Sequence, residues 1–350
     1  MQEGFSRRDF IRRAGSAAAL GYAGQAVLPT VPNTARAATG SGSGANEVMW
    51  AYLLHLGYNM WGDRKREGHP NWHATDTLRC QLSVWRHLVN LLSEAGANTL
   101  VIDVGEGMKY ESHPELAIEG SWSHDRMRQE LARIRDKGME PIPKLNFSAT
   151  HDRWLGPYSR MLSTDTYYEV CADLIAETIE VFDEPRLFHL GMDEETARHQ
   201  SSYQYVVIRQ HGLWWDDFLY LVEQVEKGGS RAWVWSDYVW NHPDKFWDNM
   251  PKTVLQSNWY YGPDFSDDNK MVQAYKELDA HGYDQVPTGS NWSNDRNMML
   301  TTKYAREHIA PGRLKGLLMA PWHPTMEKDR KHHEEAIQQL AAARKAFRMG

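Results

Sequence analysis

Short apolar runs alternate with longer segments of helical periodicity along most of this chain, and that alternation restricts the fold more than any other feature. The runs cover residues 48–56, 99–104, 140–146, 187–191, 232–237, 253–258, 286–290 and 316–321. Between and after them, helices are expected over 77–95, 125–137, 164–182, 213–227, 267–280, 298–308 and 326–348. In the fourth of these, Leu213, Phe218, Leu221, Val222 and Val225 form an apolar stripe at helical spacing. Gly96, Gly138, Gly228 and Gly282 stand where helices should stop. Eight β segments alternating with helices predict an α/β chain folded as a single-domain (β/α)8 TIM barrel. A doubly wound open sheet is the competing arrangement, and it usually carries a Gly-rich phosphate loop after its first strand. Here the first run ends Leu56-Gly57-Tyr58-Asn59-Met60-Trp61, with no such loop.

Residues 1–37 read as an export signal and are set apart from the fold. Ser6-Arg7-Arg8-Asp9-Phe10-Ile11 resembles the twin-arginine (Tat) consensus, and Ala35-Arg36-Ala37 offers the small-x-small pattern read by signal peptidase. The stretch between them is broken by Gly15, Gly21, Gly24 and Pro29, and is too short and too poor in Leu and Ile for a stable membrane anchor. A flexible Gly/Ser linker is expected at 38–46, leaving 47–350 as the catalytic domain. The expected partners are therefore the Tat machinery and signal peptidase, and the expected location is periplasmic or secreted in a bacterium. Because Tat cargo crosses already folded, Cys80 and Cys171 are expected as free, buried thiols.

The charge balance, 39 Lys and Arg against 46 Asp and Glu for a net −7, argues against a nucleic-acid surface. Neither cysteine sits in a CxxC pair, so no zinc or redox motif is visible and no cofactor is expected. Fifteen Trp beside 16 Tyr and 9 Phe is a heavy aromatic load, explained either by core packing or by rings that stack on sugars.

A barrel builds its active site from the C-terminal ends of its strands, so those ends are the place to look. In order they deliver Asp103 and Glu106, Lys144, Asn146 and His151, then His189 through Asp193-Glu194-Glu195, Trp235 and Asp237, Trp259 and Tyr260, Trp292, and Trp322-His323. Each alone has an ordinary explanation: Trp233 and Trp235 share one face and one of them can fill the barrel, Asp237 can cap a helix, and Glu195 can favour a helix N-terminus. Gathered on one rim, aromatic rings, amides and carboxylates suit a carbohydrate pocket. Crowded carboxylates also push their pKa values apart, so that one can serve as an acid while its neighbour stays charged.

His189-Leu190-Gly191-Met192-Asp193-Glu194 resembles the His-x-Gly-Gly-Asp-Glu signature of glycoside hydrolase family 20, the β-N-acetylhexosaminidases. Pro143-Lys144-Leu145-Asn146 with His151, Trp235 with Asp237, the segment 254–260, and Trp322 fall in the family's order. The resemblance implies retaining hydrolysis of a terminal N-acetylhexosamine, with the substrate's own acetamido oxygen as nucleophile. It implies Glu194 as general acid and base and Asp193 as the partner of the acetamido N–H. His151 would support the acid, and Trp235, Trp259 and Trp322 would wall the sugar, with Tyr260 or Tyr261 gripping the acetamido group. The chain departs from the pattern at Met192, at Lys144 and Asn146, and at His323; Arg64 is the one residue that could stand for the family's strand-one arginine. Three other readings remain open. They are a non-catalytic sugar-binding barrel, a two-carboxylate glycosidase acting on non-acetylated sugars, and a metal-dependent hydrolase drawing on His55, His151, His189 and His323.

Overall fold

The computed structural model of the chain describes residues 48–69 and 71–349. The expected signal peptide and linker lie outside them. Eight strands are present: β1 Met49–His55, β2 Thr99–Asp103, β3 Glu140–Lys144, β4 Leu187–His189, β5 Arg231–Trp235, β6 Leu255–Ser257, β7 Thr288–Gly289 and β8 Gly316–Met319. The helices are α1 Leu82–Glu94, α2 His124–Asp136, α3 Asp165–Val181, α4 Leu213–Lys227, α5 Pro243–Asn249, α6 Lys270–Ala280, α7 Asn297–His308 and α8 Arg330–Met349. Strand and helix alternate strictly, and every strand pairing is parallel in the order β6-β5-β4-β3-β2-β1-β8-β7. The two ends of that order meet through single bridges, Gln256 to Gln285 and Trp259 to Thr288. Val286 N–H donates to the Gln256 carbonyl at 2.8 Å and Thr288 N–H to that of Asn258 at 2.9 Å. The chain is a nearly closed (β/α)8 TIM barrel, as the alternation predicts.

Period-two alternation sorts the strand residues into two shells. Met49, Ala51, Leu53, Val101, Ile142, Leu187, Trp233, Trp235, Leu255, Val286, Leu318 and Ala320 fill the barrel itself. Trp50, Tyr52, Leu54, Leu100, Ile102, Phe188, Val234, Leu317 and Met319 face outward into the helices, where Trp85, Trp214, Trp215 and Phe218 also pack. Towards the C-terminal end the inner shell turns polar. Lys144 Nζ donates to Asp103 Oδ2 at 2.6 Å, and His55 Nδ1 lies 3.2 Å from the same oxygen. Both Trp233 and Trp235 therefore fill the barrel, where only one was expected to.

The differences from the expected elements have local causes. The first helix starts at Leu82, not 77, because Thr77 bridges Glu119 and Cys80 bridges Thr325. The unexpected α5 is seven residues long with Pro243 in its first turn, too short to show a period. Gly96, Gly138 and Gly282 adopt left-handed φ of 80°, 77° and 81° just past their helices, whereas Gly228 keeps φ −78° and the left-handed turn passes to Gly229. Cys80 and Cys171 are free, the first half-buried and the second buried, and burial pushes both thiols up. No described helix is long and apolar enough to cross a membrane.

Candidate active site

The chain beyond β4 is kinked by its backbone. Gly191 has φ +70°, and a Cβ there would lie 2.1 Å from Asn146 Oδ1, so the β4 end can pass against the β3 end only at a glycine. Two side-chain-bearing residues then take the left-handed region, Met192 at φ 74° and Glu194 at φ 56°. Such residues cost free energy and persist where the surroundings hold them. Here Asn146 Oδ1 accepts from Met192 N–H at 3.1 Å, Asp237 Oδ2 accepts from Glu194 N–H at 2.9 Å, and Thr150 Oγ1 donates to the Glu194 carbonyl at 2.8 Å.

This kink sets Asp193 and Glu194 beside one histidine. His151 Nε2 lies 3.4 Å from Asp193 Oδ2 and 3.3 Å from Glu194 Oε2. Asn146 Nδ2 donates to Asp193 Oδ1 at 2.8 Å, and His199 Nε2 approaches the other Glu194 oxygen at 3.5 Å. Burial works against a charge on His151, but the Asp193 and Glu194 carboxylates outweigh it and raise the imidazole to about 10. Burial also opposes the Asp193 charge, yet His151, Asn146 and Lys144 hold this carboxyl well below the usual carboxylate range. Asp237 goes the other way: burial, followed by the nearby Asp193 charge, lifts it to about 8. The site thus holds a fixed anion, Asp193, beside a neutral buried acid, Asp237, with Glu194 between them in sequence and reaching the cleft.

The cleft above encloses about 620 Å³, part of it open to solvent, and Asp193 and Glu194 are the carboxylates that line it. Its walls are Trp61, Trp72, Trp259, Tyr261, Trp292 and Trp322, with Met60, Asn146 and His151. Trp61 stacks on Trp72 at 4.5 Å between ring centroids, and Trp72 in turn lies 5.7 Å from Trp292. Hydrogen bonds tie the β1–α1 loop that carries Trp61 to the β4–α4 loop: Ser202 Oγ donates to the Trp61 carbonyl at 2.6 Å, and Asp63 and Arg64 N–H groups donate to the Ser202 carbonyl at 3.1 Å.

Of the residues expected at the site, Asn146, His151, Asp193, Glu194, Trp259, Trp292 and Trp322 line the cleft. His189 and Trp235 lie beneath it, 4.4 Å apart, inside the barrel. Burial, then the Lys144 charge, holds His189 well below its ordinary range, so it is a neutral packing residue. Asp237 sits behind the Glu194 backbone. Tyr260 points away and packs on Phe265 at 5.4 Å, because alternation past β6 sends Trp259 and Tyr261 to the cleft and Tyr260 to the shell. Glu195 caps no helix; its side chain is buried against Arg209. Arg64 is exposed and does not line the cleft.

Met60, Trp61 and Trp72 line the cleft although the sequence does not single them out, and of the two candidate tyrosines it is Tyr261 that reaches it. Met60-Trp61 lies in the loop after β1, the kind of place that holds the other rim residues, so it is readable; Trp72 lies further along that loop without a periodic cue. The four histidines of the metal reading are not gathered, since His55 pairs with Asp103 and His323 with Asp329 at 3.0 Å. Among the described residues His151, Asp193 and Glu194 alone bring three potential ligand atoms within 4.8 Å of one another. The same atoms form the contacts of the His151 imidazole with the two carboxylates.

No protein-family model matches the chain, and no curated protein does. Solved structures do resemble its fold. One is the GH20 exo-β-N-acetylglucosaminidase from Vibrio harveyi in complex with N-acetylglucosamine, with TM-score 0.55 and 12% identity over 86% of this chain and 57% of that one. A second is the N-acetyl-β-hexosaminidase of Streptomyces plicatus, with TM-score 0.56 and 10% identity over 85% and 64%. A third is dispersin B, with TM-score 0.52 and 14% identity over 85% of this chain and 99% of that one. The chain thus spans less than two thirds of the first two. At these identities the likeness shows the shared barrel, and its structural neighbours are β-N-acetylhexosaminidases of glycoside hydrolase family 20.

Proposed function

We propose that this protein is a glycoside hydrolase that removes β-linked 2-acetamido sugars by substrate-assisted, retaining catalysis. The observation that carries this reading is the pair Asp193 and Glu194, held by one histidine at the floor of an aromatic cleft. Glu194 protonates the glycosidic oxygen as the bond to the anomeric carbon breaks. The substrate's acetamido oxygen attacks that carbon, closing an oxazolinium ring. Asp193, kept ionised by His151 and Asn146, accepts the acetamido N–H and balances the positive charge that develops. Glu194, now a carboxylate, takes a proton from the water that reopens the ring. Tyr261 accepts from Trp322 Nε1 at 3.0 Å, which leaves its own O–H to donate to the acetamido oxygen. The family-20 hexosaminidases among the structural neighbours support the same reading.

The cleft's two carboxylates belong to adjacent residues on one strand end. A two-carboxylate displacement needs groups flanking the sugar on opposite faces, which favours the substrate's own acetamido group as nucleophile here. Export follows the twin-arginine-like motif at Ser6 to Ile11, and the periplasm or the medium is the proposed location.

The deciding experiment assays aryl β-glycosides with and without the 2-acetamido group, beside Glu194→Gln, in the presence and absence of a chelator. Cleavage of the acetamido substrate alone, reduced in the variant and indifferent to chelator, is expected. Equal cleavage of plain glucosides would sink the substrate-assisted mechanism. Sugar binding without turnover would identify a non-catalytic barrel instead.

A further inference from the structure

Glu195 ends the acidic run, yet its carboxylate turns out of the cleft and into the protein. Its side chain is 4% exposed and that of Arg209 is fully buried. Glu195 Oε1 accepts from Arg209 N–H at 2.9 Å, while Oε2 accepts from Ala149 N–H at 3.1 Å and from Arg209 Nη1 at 2.5 Å. Arg209 Nε donates to Asp217 Oδ2 on α4 at 2.6 Å, and Nη2 donates to Tyr167 OH on α3 at 2.9 Å. The pair therefore bridges the β3–α3 and β4–α4 loops and is anchored to two helices behind them.

The register of this bridge matters more than its charge. Ser148 Oγ donates to the Asp193 carbonyl, Thr150 Oγ1 donates to the Glu194 carbonyl, and between them Ala149 N–H donates to the Glu195 carboxylate. Three consecutive residues of one loop are laced to three consecutive residues of the other. The next residue along the first loop is His151, which faces both cleft carboxylates. Glu194, in the middle of the second, carries the left-handed φ of 56° that its surroundings must enforce. A buried ion pair is weak evidence for stability, since apolar replacements of similar volume often serve as well. What this one supplies is position.

We propose that Glu195 and Arg209 are positioning residues: their pair locks the backbone of Glu194 and registers His151 against the Asp193 and Glu194 carboxylates. The kinetic consequence rests on the reading of Glu194 as the general acid; the structural consequence does not. Glu195→Gln removes the charge and keeps the shape, and leaves Arg209 paired with Asp217 alone. The double variant Glu195→Leu/Arg209→Met, in which Asp217 keeps the Ser163 and Tyr168 hydroxyls as donors, keeps the fold testable if that single variant fails to fold.

In the full chain, kcat on a β-linked N-acetylglucosamine disaccharide should fall about 100-fold in the folded double variant, the scale set by a misplacement near 1 Å. KM and the affinity for N-acetylglucosamine should be unchanged, and Arg209→Lys should recover part of kcat. Hydrogen exchange should quicken at 148–151 and 193–196 and stay as in the wild type along β1, β2 and β8. Wild-type kcat in the double variant, or exchange quickened throughout the barrel, overturns the proposal. If the wild type cleaves no glycoside, the proposed function fails on its own, and the exchange comparison still decides the positioning role. Local quickening supports it; unchanged or global exchange refutes it.

Discussion

The indole N–H of Trp322 donates to the phenolic oxygen of Tyr261 at 3.0 Å, joining the end of β8 to the loop after β6 across the cleft. Trp322 is itself held by Tyr58, whose hydroxyl donates to the Trp322 carbonyl at 2.7 Å. Burial pushes the Tyr261 phenol well above its ordinary range, so it remains a donor throughout the pH range of any assay. Tyr261→Phe removes that donor and leaves the wall. It should lower kcat/KM on 2-acetamido glycosides by about 10²–10³, the loss typical of one preorganised donor, with circular dichroism unchanged. Retained activity would show that the hydroxyl plays no part.

Glu194→Gln tests the acid through the leaving group. A general acid contributes roughly 10²–10⁴ where the departing oxygen needs a proton. A 4-nitrophenolate leaves without one, whereas an alkyl or sugar alcohol does not. The variant should therefore lose far more activity on the disaccharide than on the nitrophenyl glycoside. Equal losses on both would place the acid elsewhere.

Asp237 supplies a pH signature. Its folded-state carboxyl, lifted to about 8 by burial and the Asp193 charge, favours the protonated form. A carboxyl raised in this way contributes its full stability below the unfolded value near 3.9 and loses it as pH rises through the folded value. Asp237→Asn keeps an oxygen for the Glu194 N–H and removes the titration. Urea midpoints should show the variant gaining on the wild type between pH 5 and about 9. A constant difference across that range would contradict the assignment.

Gly191→Ala should be costly for two reasons that act together. The added Cβ meets Asn146 Oδ1 at 2.1 Å, and φ of +70° disfavours any side chain. The backbone strain alone is worth about 1–3 kcal/mol, and displacement of Asn146 frees Asp193 from its 2.8 Å hydrogen bond. Unfolding by denaturant should report the first effect, and loss of N-acetylglucosamine affinity the second. Normal stability with normal affinity would refute both.

The barrel was legible because eight buried strands must read as apolar runs and eight helices as periodic ones. Only α5, at seven residues, fell below the length at which a period shows. Asp193 and Glu194 were legible because a carboxylate directly after a buried strand has few other reasons to be there. Tyr261 and Tyr260 could not be ranked from sequence, since one residue of register decides which side each takes. The buried pairing of Glu195 was not legible because its partner Arg209 lies fourteen positions on, in a loop whose path no local pattern announces. Trp72 reached the cleft by the same kind of route, through a loop held to Trp61 by stacking.

The barrel's stitching is uneven. β1 and β2 share five residues of register, while the β6 and β7 segments are joined by the isolated bridges Gln256–Gln285 and Trp259–Thr288 rather than by a ladder. Trp259 hangs on one lip of that seam and Trp292 follows the other. Local opening is expected first at this seam, so amide protons at 256–259 and 286–290 should exchange before those of β1. A ring held between the two indoles would act as a clasp, fastening the one junction of the cylinder that no strand ladder closes.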